Sequence, residues 1–402
     1  MPARAFCRKA ARVSTILVPL SASGWLLKAV LQLRGTEDLG SEEAIPVTRA
    51  KSYTNRVMDT RDSAARRNWS AEPMPRPRNI QLAICIATFR RQQLLRELLG
   101  GIAQLTFHKV DAPDLRIIIV DNDEVGSAEE VCRTASVPWP IKYVVEPRRG
   151  ITHARNRGIA EAGSVDFVAF IDDDEVPSTH WLDELLWAQA EFTADVASGP
   201  VLPRYDSDVA DWVKRGQFFA GRVSATGTTR RACAANNVLV GTHVFKRVPR
   251  FDDAFALSGA EDTSFFLRVW QAGHKIVWSQ EAVVSEAVSV ERGTVAWLLR
   301  REYQTGNGWV FCEAGVDNRL RSWVVRSCKA CGHLVIGSTS AIWRSVLLDR
   351  AAIVRSLQRL SLGAGMLTAL AGHRFLAYKN AGKNQVRAFS SAAAKVEKTF
   401  TP

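Results

Sequence analysis

Four acids stand in a row at 172–175, Asp172, Asp173, Asp174 and Glu175, directly after the apolar run "FVAFI". Like charges a few ångströms apart either take up protons or gather a cation. Carboxylate oxygens suit Mg²⁺ or Mn²⁺, and Mg²⁺ commonly binds through one or two carboxylates together with substrate phosphates. In an extended segment alternate residues share a face, so Asp172 and Asp174 can converge while Asp173 points elsewhere. A solvated acidic turn before a helix capped at Ser178 accounts for the same residues without a ligand.

Three further groups could act with these acids. Asp121 closes "RIIIVD", where an acid can accept from a nucleobase imide or a ribose hydroxyl, or simply form an Asx turn. "EPRRGITHARNRG" (146–158) gathers Arg148, Arg149, Arg155 and Arg157 about a helix start; guanidinium groups there suit phosphate oxygens or a solvated basic face. Glu261 and Asp262 open a helix about 90 residues beyond the first cluster. Acids at a helix start favour the helix dipole, and the pair also supplies a candidate general base.

The elements that must position these groups alternate. "IQLAICIATF" (80–89), "LRIIIVDND", "IKYVVEP" and "VDFVAFIDDD" have the apolar runs of buried strands, while "RRQQLLRELLGGIAQL" and "GITHARNRGIAEA" have helical spacing. The alternation predicts an α/β fold with a mostly parallel, doubly wound sheet, whose ligands sit at the carboxyl ends of strands. Thr88, Asp121 and Asp172 to Asp174 all fall at such ends. Further on come a helix in "WLDELLWAQAEF", a strand-like "ADVASGPVLP", a polar stretch to about residue 235 expected to face substrate, and a strand near Lys275 to Trp278.

Both ends of the chain differ from this middle. Residues 1–34 combine Arg4, Arg8, Lys9 and Arg12 with interrupted apolar runs, as expected of a basic interfacial helix or a start assigned too far upstream. They are followed by a polar linker ending in "EPMPRPRN". From about residue 311 the chain is expected to be helical. Residues 344–362 are expected to form one basic amphipathic helix, with Val346, Ile353, Leu357 and Leu360 on one side and Arg344, Arg350, Arg355 and Arg359 elsewhere. Such a helix lies in an anionic lipid interface or packs on its own domain. No run of about 18 uninterrupted apolar residues offers a secure membrane span. With 53 basic against 41 acidic residues the chain carries +12, which suits an anionic partner. Seven dispersed cysteines fit a reducing compartment, and Cys328-Lys-Ala-Cys331 reads as two helical thiols because no second pair completes a zinc site.

The ordered set "ICIATFRR", "IIIVDND", "VVEPRRGITHARNRG", "FVAFIDDDEVP", "SGAEDTSFFLRVWQAG" and "REYQTGNGW" resembles the family 2 inverting glycosyltransferases of the GT-A fold, with the nearest likeness among bacterial succinoglycan-biosynthesis glycosyltransferases. The resemblance covers about residues 80–310 and implies a catalytic domain there, flanked by the segment 1–79 and a helical region 311–402. It further implies a nucleotide-diphosphate sugar donor, most simply a UDP-hexose. Thr88 and Arg90 would lie near the uridine and pyrophosphate, Asp121 would hold the uracil, and Arg155 and Asn156 would belong to the donor pocket. Asp172 and Asp173 would contact the donor, Asp174 would hold a divalent cation (Mn²⁺ or Mg²⁺), and Asp262 would be the catalytic base. The absence of a clear QxxRW motif points to transfer of one sugar to a lipid-linked or saccharide acceptor, by an enzyme peripheral on the cytoplasmic face of the membrane. A nucleic-acid partner is not expected. Two other readings of the acids remain: "FIDDDEV" also fits a haloacid-dehalogenase-type phosphatase with Asp172 as nucleophile, and a binding protein could keep the fold without turnover.

Overall fold

The alternating register of the first strand decides how the core is divided. In β1 (Gln81–Thr88), Leu82, Ile84 and Ile86 face one side of the sheet and Ala83 and Cys85 the other, and all five are buried. A strand buried on both faces needs helices above and below it, which the next elements supply. The computed structural model describes residues 79–221, 224–314, 319–346 and 349–377. The expected basic N-terminal segment and its linker lie outside these residues.

On one side α1 (Gln92–Ile102) and α4 (Trp181–Glu191) bury Leu95, Leu98, Trp181 and Leu185 against Leu82, Ile84 and Ile86. On the other, α3 (Ile151–Ala162) and α6 (Glu261–Gln271) bury Ala154, Phe265 and Phe266 against Ala83 and Cys85. Between them lie β2 (Asp114–Asp121), the short α2 (Glu129–Thr134), β3 (Ile141–Val145) and β4 (Phe167–Ile171). With β6 (Val196–Ser198), β8 (Thr229–Arg230), β9 (Asn237–Gly241) and β10 (Ile276–Trp278), the order across the main sheet is β3-β2-β1-β4-β9-β6-β10-β8.

Strands β1 to β4 run parallel, as the βαβ alternation predicts, and β6 is parallel to β10. Beyond β4 the sheet is mixed, because β9 lies antiparallel to both β4 and β6. The parallel register sets Thr88 opposite Asp121 and Asp121 opposite Val145, so the three strands end level. "ADVASGPVLP" forms two strands rather than one: β6 stays in the main sheet, and β7 (Val201–Tyr205) joins β5 (Glu175–Pro177) and β11 (Val284–Val288) in a second, three-stranded sheet. At the far ends of β6 and β10, Asp195 pairs with His243 and His274 and accepts the Lys275 amide at 2.7 Å, closing that edge.

After a short α5 (Asp211–Gly216), the C-terminal part is built from α7 (Val295–Ala314), α8 (Arg319–Val346) and α9 (Arg350–Leu370). The expected single helix over 344–362 is corrected here. Helix α8 stops at Val346, and Asp349 starts a new helix by accepting the Ala352 amide at 3.2 Å. An Asp three residues before its amide partner is an N-cap signal that continuous apolar spacing conceals. The packed side of α9 is also not the expected one. Small residues, Ala351, Ala352, Ser356, Gly363 and Gly365, are buried, while Ile353, Leu357 and Leu360 are only half-buried.

Those small residues let the helix backbones touch. A β-carbon on Gly365 would fall 2.1 Å from the Tyr303 carbonyl of α7, and one on Gly306 would fall 2.1 Å from the Leu362 carbonyl. Gly365→Ala should therefore cost about 1–3 kcal/mol, the usual cost of overpacking. Gly332→Ala on α8, where an added carbon meets nothing within 4 Å, should instead stabilise by about 0.5–1 kcal/mol. Urea-denaturation midpoints of the two variants should move in opposite directions.

Candidate active site

The level ends of β1, β2 and β4 bring Thr88 and two of the sequence's acid groups, Asp121 and the 172–175 run, to one edge of the sheet. Asp173 is buried and fully engaged: Thr88 donates its hydroxyl to one oxygen at 2.8 Å and Arg91 donates to the other at 2.9 Å. Its pKa rises to about 6 because burial outweighs the Arg91 charge. Glu175, at the start of β5, is also buried; it accepts the Asp172 amide at 3.1 Å and the Asn236 side-chain amide at 2.7 Å. Burial, reinforced by the charge of Asp172, pushes its carboxyl well above the usual range. Asp173 and Glu175 thus anchor the turn from within.

Asp172 and Asp174 are less enclosed, and the backbone here is a turn closed by the Glu175 amide on the Asp172 carbonyl at 3.2 Å rather than the expected extended segment. Asp172 is the more open, with its side chain 34% exposed. One of its oxygens accepts from Arg155 at 2.9 Å, and one oxygen of Asp174 accepts from Arg91 at 3.1 Å and lies 3.5 Å from Arg292. The second oxygen of each has no partner among the described residues. Two hard oxygen donors left open on alternating residues, with cations closing their other sides, form a donor set that fits Mg²⁺ or Mn²⁺.

Arg155 reaches from the middle of α3 to both acid clusters. Its guanidinium is 6% exposed; it donates to Asp172 and to Glu261, whose side chain is 7% exposed. Burial alone would lower the Arg155 pKa, but the charges of Asp172, Glu261 and Asp262 raise it, so it remains a cation. Burial raises the pKa of Glu261 and Arg155 opposes the rise. Asp262 follows Glu261 into the first turn of α6 and takes the Thr263 amide at 2.6 Å on one oxygen; its other oxygen has no partner among the described residues. The entry to this helix is bent through two left-handed residues, Gly259 (φ 76°) and Ala260 (φ 65°). Helix α7 holds the bend, for a β-carbon on Gly308 would fall 2.7 Å from that of Ala260, and the Cys312 thiol lies 3.2 Å from the Ala260 carbonyl.

Several residues expected to face the donor are turned inward. Asp121 is fully buried and accepts from the amides of Asp123 and Ala128, at 3.0 and 2.7 Å, and from the Tyr143 hydroxyl at 2.9 Å. It holds the loop 122–128, because a strand-end acid meets the nearest backbone amides before any ligand. Asn156 is likewise engaged, exchanging hydrogen bonds with both the amide and the carbonyl of Phe251 at 2.8 and 2.9 Å. Thr88 spends its hydroxyl on Asp173. Arg90 does lie at the surface of the site, in a left-handed conformation (φ 54°), forked onto Asp123 at 2.8 and 3.0 Å. Phe89 beside it lies under Arg149 as well as Arg90, with the guanidinium carbons 4.1 and 5.0 Å from the ring centre.

Arg91, Asp123 and Arg292 were not singled out from the sequence, whereas Glu175 was read there with Asp173 as a supporting residue of the acid run. Arg91 and Asp123 lie beside expected site residues, in "FRRQ" and "VDND", so adjacency is a usable signal. Arg292 gives none. It reaches the cluster through β11, with one nitrogen on Glu286 at 2.6 Å and the other near Asp174.

The sequence profile of Glycosyl transferase family 2 matches residues 83–250, the span that builds β1 to β9. The chain is 33% identical over 231 residues to the succinoglycan biosynthesis protein ExoM of Rhizobium meliloti (strain 1021), covering 57% of this chain and 73% of that protein. This chain belongs to glycosyl transferase family 2. The glycosyltransferase is also 24% identical over 249 residues to the glucosyl-dolichyl phosphate glucuronosyltransferase of Haloferax volcanii, covering 56% of this chain and 75% of that one. Its fold is similar to that of the mannosyltransferase PcManGT of Pyrobaculum calidifontis, solved with GDP-Man and Mn²⁺. That match has a TM-score of 0.52 at 18% identity and covers 74% of this chain and 88% of that one. The family assignment removes the phosphatase and the non-catalytic readings of the acid run.

The buried acids set a pH dependence. A carboxylate whose pKa is higher in the folded than in the unfolded chain favours folding while protonated, and that advantage is lost as it ionises. Between about pH 4, the unfolded range of an aspartate, and about pH 6, reached by folded Asp173, the metal-free enzyme should therefore become less stable as pH rises. Glu261 should add to the same slope. Melting temperatures across this range should fall by the equivalent of roughly 2–3 kcal/mol, and Glu261→Gln should flatten the curve.

Proposed function

We propose that this glycosyltransferase moves one sugar from a nucleoside-diphosphate sugar, a UDP-hexose in the simplest case, to a lipid-linked or saccharide acceptor, inverting the anomeric centre. The product would be a unit of a bacterial exopolysaccharide or other surface polysaccharide, made at the inner face of the cell membrane. The observation that carries this reading is the Arg155 bridge. It joins Asp172, in the same turn as Asp174, to Glu261, the neighbour of Asp262 at the start of α6, through one buried cation.

In this reading Asp172 and Asp174 meet the donor's ribose and diphosphate together with a divalent cation, Asp174 being its ligand. When bound, such an ion draws off the negative charge that grows on the departing diphosphate. Support for it comes from the open donor set and from the Mn²⁺ found with the Pyrobaculum mannosyltransferase. Asp173 fixes the turn through Thr88 and Arg91 rather than touching the donor. Arg90, carried outward by its left-handed backbone, is available to the pyrophosphate or the base.

Asp262 takes the proton from the acceptor hydroxyl. One of its oxygens is fixed by the Thr263 amide and the other has no partner among the described residues. Glu261 is buried against Arg155, so Asp262 is the acid of the pair left with an open oxygen to accept the proton. A single displacement follows, with the hydroxyl oxygen bonding to the anomeric carbon as its bond to the diphosphate breaks. An α-linked donor then yields a β-linked product.

Asp262→Asn should lower kcat by about 10²–10⁴-fold, the contribution of a general base, with donor affinity nearly unchanged. Asp174→Ala should weaken metal-dependent donor binding instead. Donor titrations and release of nucleoside diphosphate separate the two effects, and full turnover by Asp262→Asn would remove the base assignment.

A further inference from the structure

Three arginines without a carboxylate partner among the described residues surround a cavity of about 550 Å³ in the C-terminal helices. Arg344 comes from α8, Arg355 and Arg359 from α9, and Glu302 of α7 is the one acid that faces them, so the cavity is net positive. Arg344 gives one nitrogen to the Ala352 carbonyl at 3.3 Å, whereas Arg355 and Arg359 are exposed. Guanidinium groups gathered without acids are matched to the oxygens of a phosphate.

The helix that leads into this cavity is apolar on its outer face. Val324, Val335 and Ile342 of α8 are 49%, 63% and 73% exposed, and the exposed Cys328 and Cys331 lie between them at helical spacing. Steps of four, three, four and seven residues keep one face of a helix, and the rise from Val324 to Ile342 is about 27 Å. Trp323 and Trp343, 53% and 71% exposed, lie beside its two ends, and Trp343 directly precedes Arg344. A largely apolar strip of this length, broken only by the exposed Ser338 and Thr339 and with indoles at its ends, marks a contact surface.

We propose that this face docks the enzyme on an anionic membrane. The α8 strip enters the boundary between head groups and acyl chains, and Arg344, Arg355 and Arg359 take lipid phosphates at its end. The occupant follows from charge and composition together. Tryptophan settles at the bilayer interface, and each basic residue near an anionic leaflet adds to the attraction. A second copy of the chain would cover the strip but would set the same arginines against themselves across a two-fold axis. The contact lies along the surface, since no helix among the described residues is long and apolar enough to cross a membrane.

The face is mechanically joined to the catalytic end. Glu302 in the cavity lies six residues from Gly308 on α7, about 9 Å along the helix axis, and Gly308 presses on Ala260, two residues from Asp262. The inference deepens the proposed use of a lipid-linked acceptor, and for its biological purpose it rests on that reading.

Co-sedimentation of the full chain with phosphatidylcholine vesicles, with and without phosphatidylglycerol, tests it. The wild type should sediment only with the anionic vesicles and be released by salt. Arg355→Gln/Arg359→Gln should lose roughly tenfold or more in partitioning, and Ile342→Glu/Trp343→Ser should lose it too. Both should keep wild-type melting temperatures and donor hydrolysis in solution, which shows that they fold. Partitioning unchanged in both variants would overturn the proposal. So would a stable dimer that Ile342→Glu/Trp343→Ser dissociates, since a second copy would then own the strip. A wild type that binds vesicles but turns over no donor would leave this inference standing and remove the enzymatic reading instead.

Discussion

A single buried guanidinium holds the two halves of the site together. Arg155 joins Asp172, 17 residues on, to Glu261, 106 residues on, and is itself almost inaccessible to water. Removing one partner of a buried ion pair leaves an uncompensated charge that costs about 3–5 kcal/mol, so strand β4 and helix α6 are tied at a point where slippage is expensive. The acids impose a second constraint. The fold does not leave the four carboxylates of this turn alike but divides them: Asp173 and Glu175 are buried with fixed partners, and Asp172 and Asp174 are left with open oxygens. Catalytic geometry is in this sense a by-product of solving a charge problem.

The first strands were legible because each is an apolar run finishing in a polar or acidic residue, and parallel register needs little more than that to align Thr88, Asp121 and the 172–174 acids. What those acids touch was not legible. Asp121 meets amides from Asp123 and Ala128, and Asn156 meets the backbone of Phe251, 95 residues away, which nothing in either local stretch announces. Short polar side chains bind the nearest backbone group, so residues that look donor-facing from position alone become the supports of those that are. Arg292 shows the converse, a cation brought to the acids from the turn after β11, where the sequence carries no motif.

The C-terminal helices followed neither of the simplest expectations. Apolar spacing across 344–362 suggested one helix, yet Asp349 starts a new one, and the buried side of α9 is mostly alanine, serine and glycine, with Val354 and Met366 among them. Small residues bring helices close without raising hydropathy, so such packing is nearly silent in a periodicity argument. It also leaves the larger apolar side chains of α8 on the outside. These helices meet the sheet domain at several points, among them Gln304 on the Ser258 carbonyl, Cys312 on the Ala260 carbonyl, and Gly308 against the left-handed turn at Ala260 that precedes Asp262.

The central claim, one displacement with Asp262 as the only base and no carboxylate acting as nucleophile, is tested most directly by the anomeric configuration of the first product. Proton NMR of the glycoside formed from an α-linked nucleotide sugar, recorded before any anomerisation, reads it. The account predicts the β-glycoside alone. An α-glycoside would mean two successive displacements through a covalent intermediate and would contradict it.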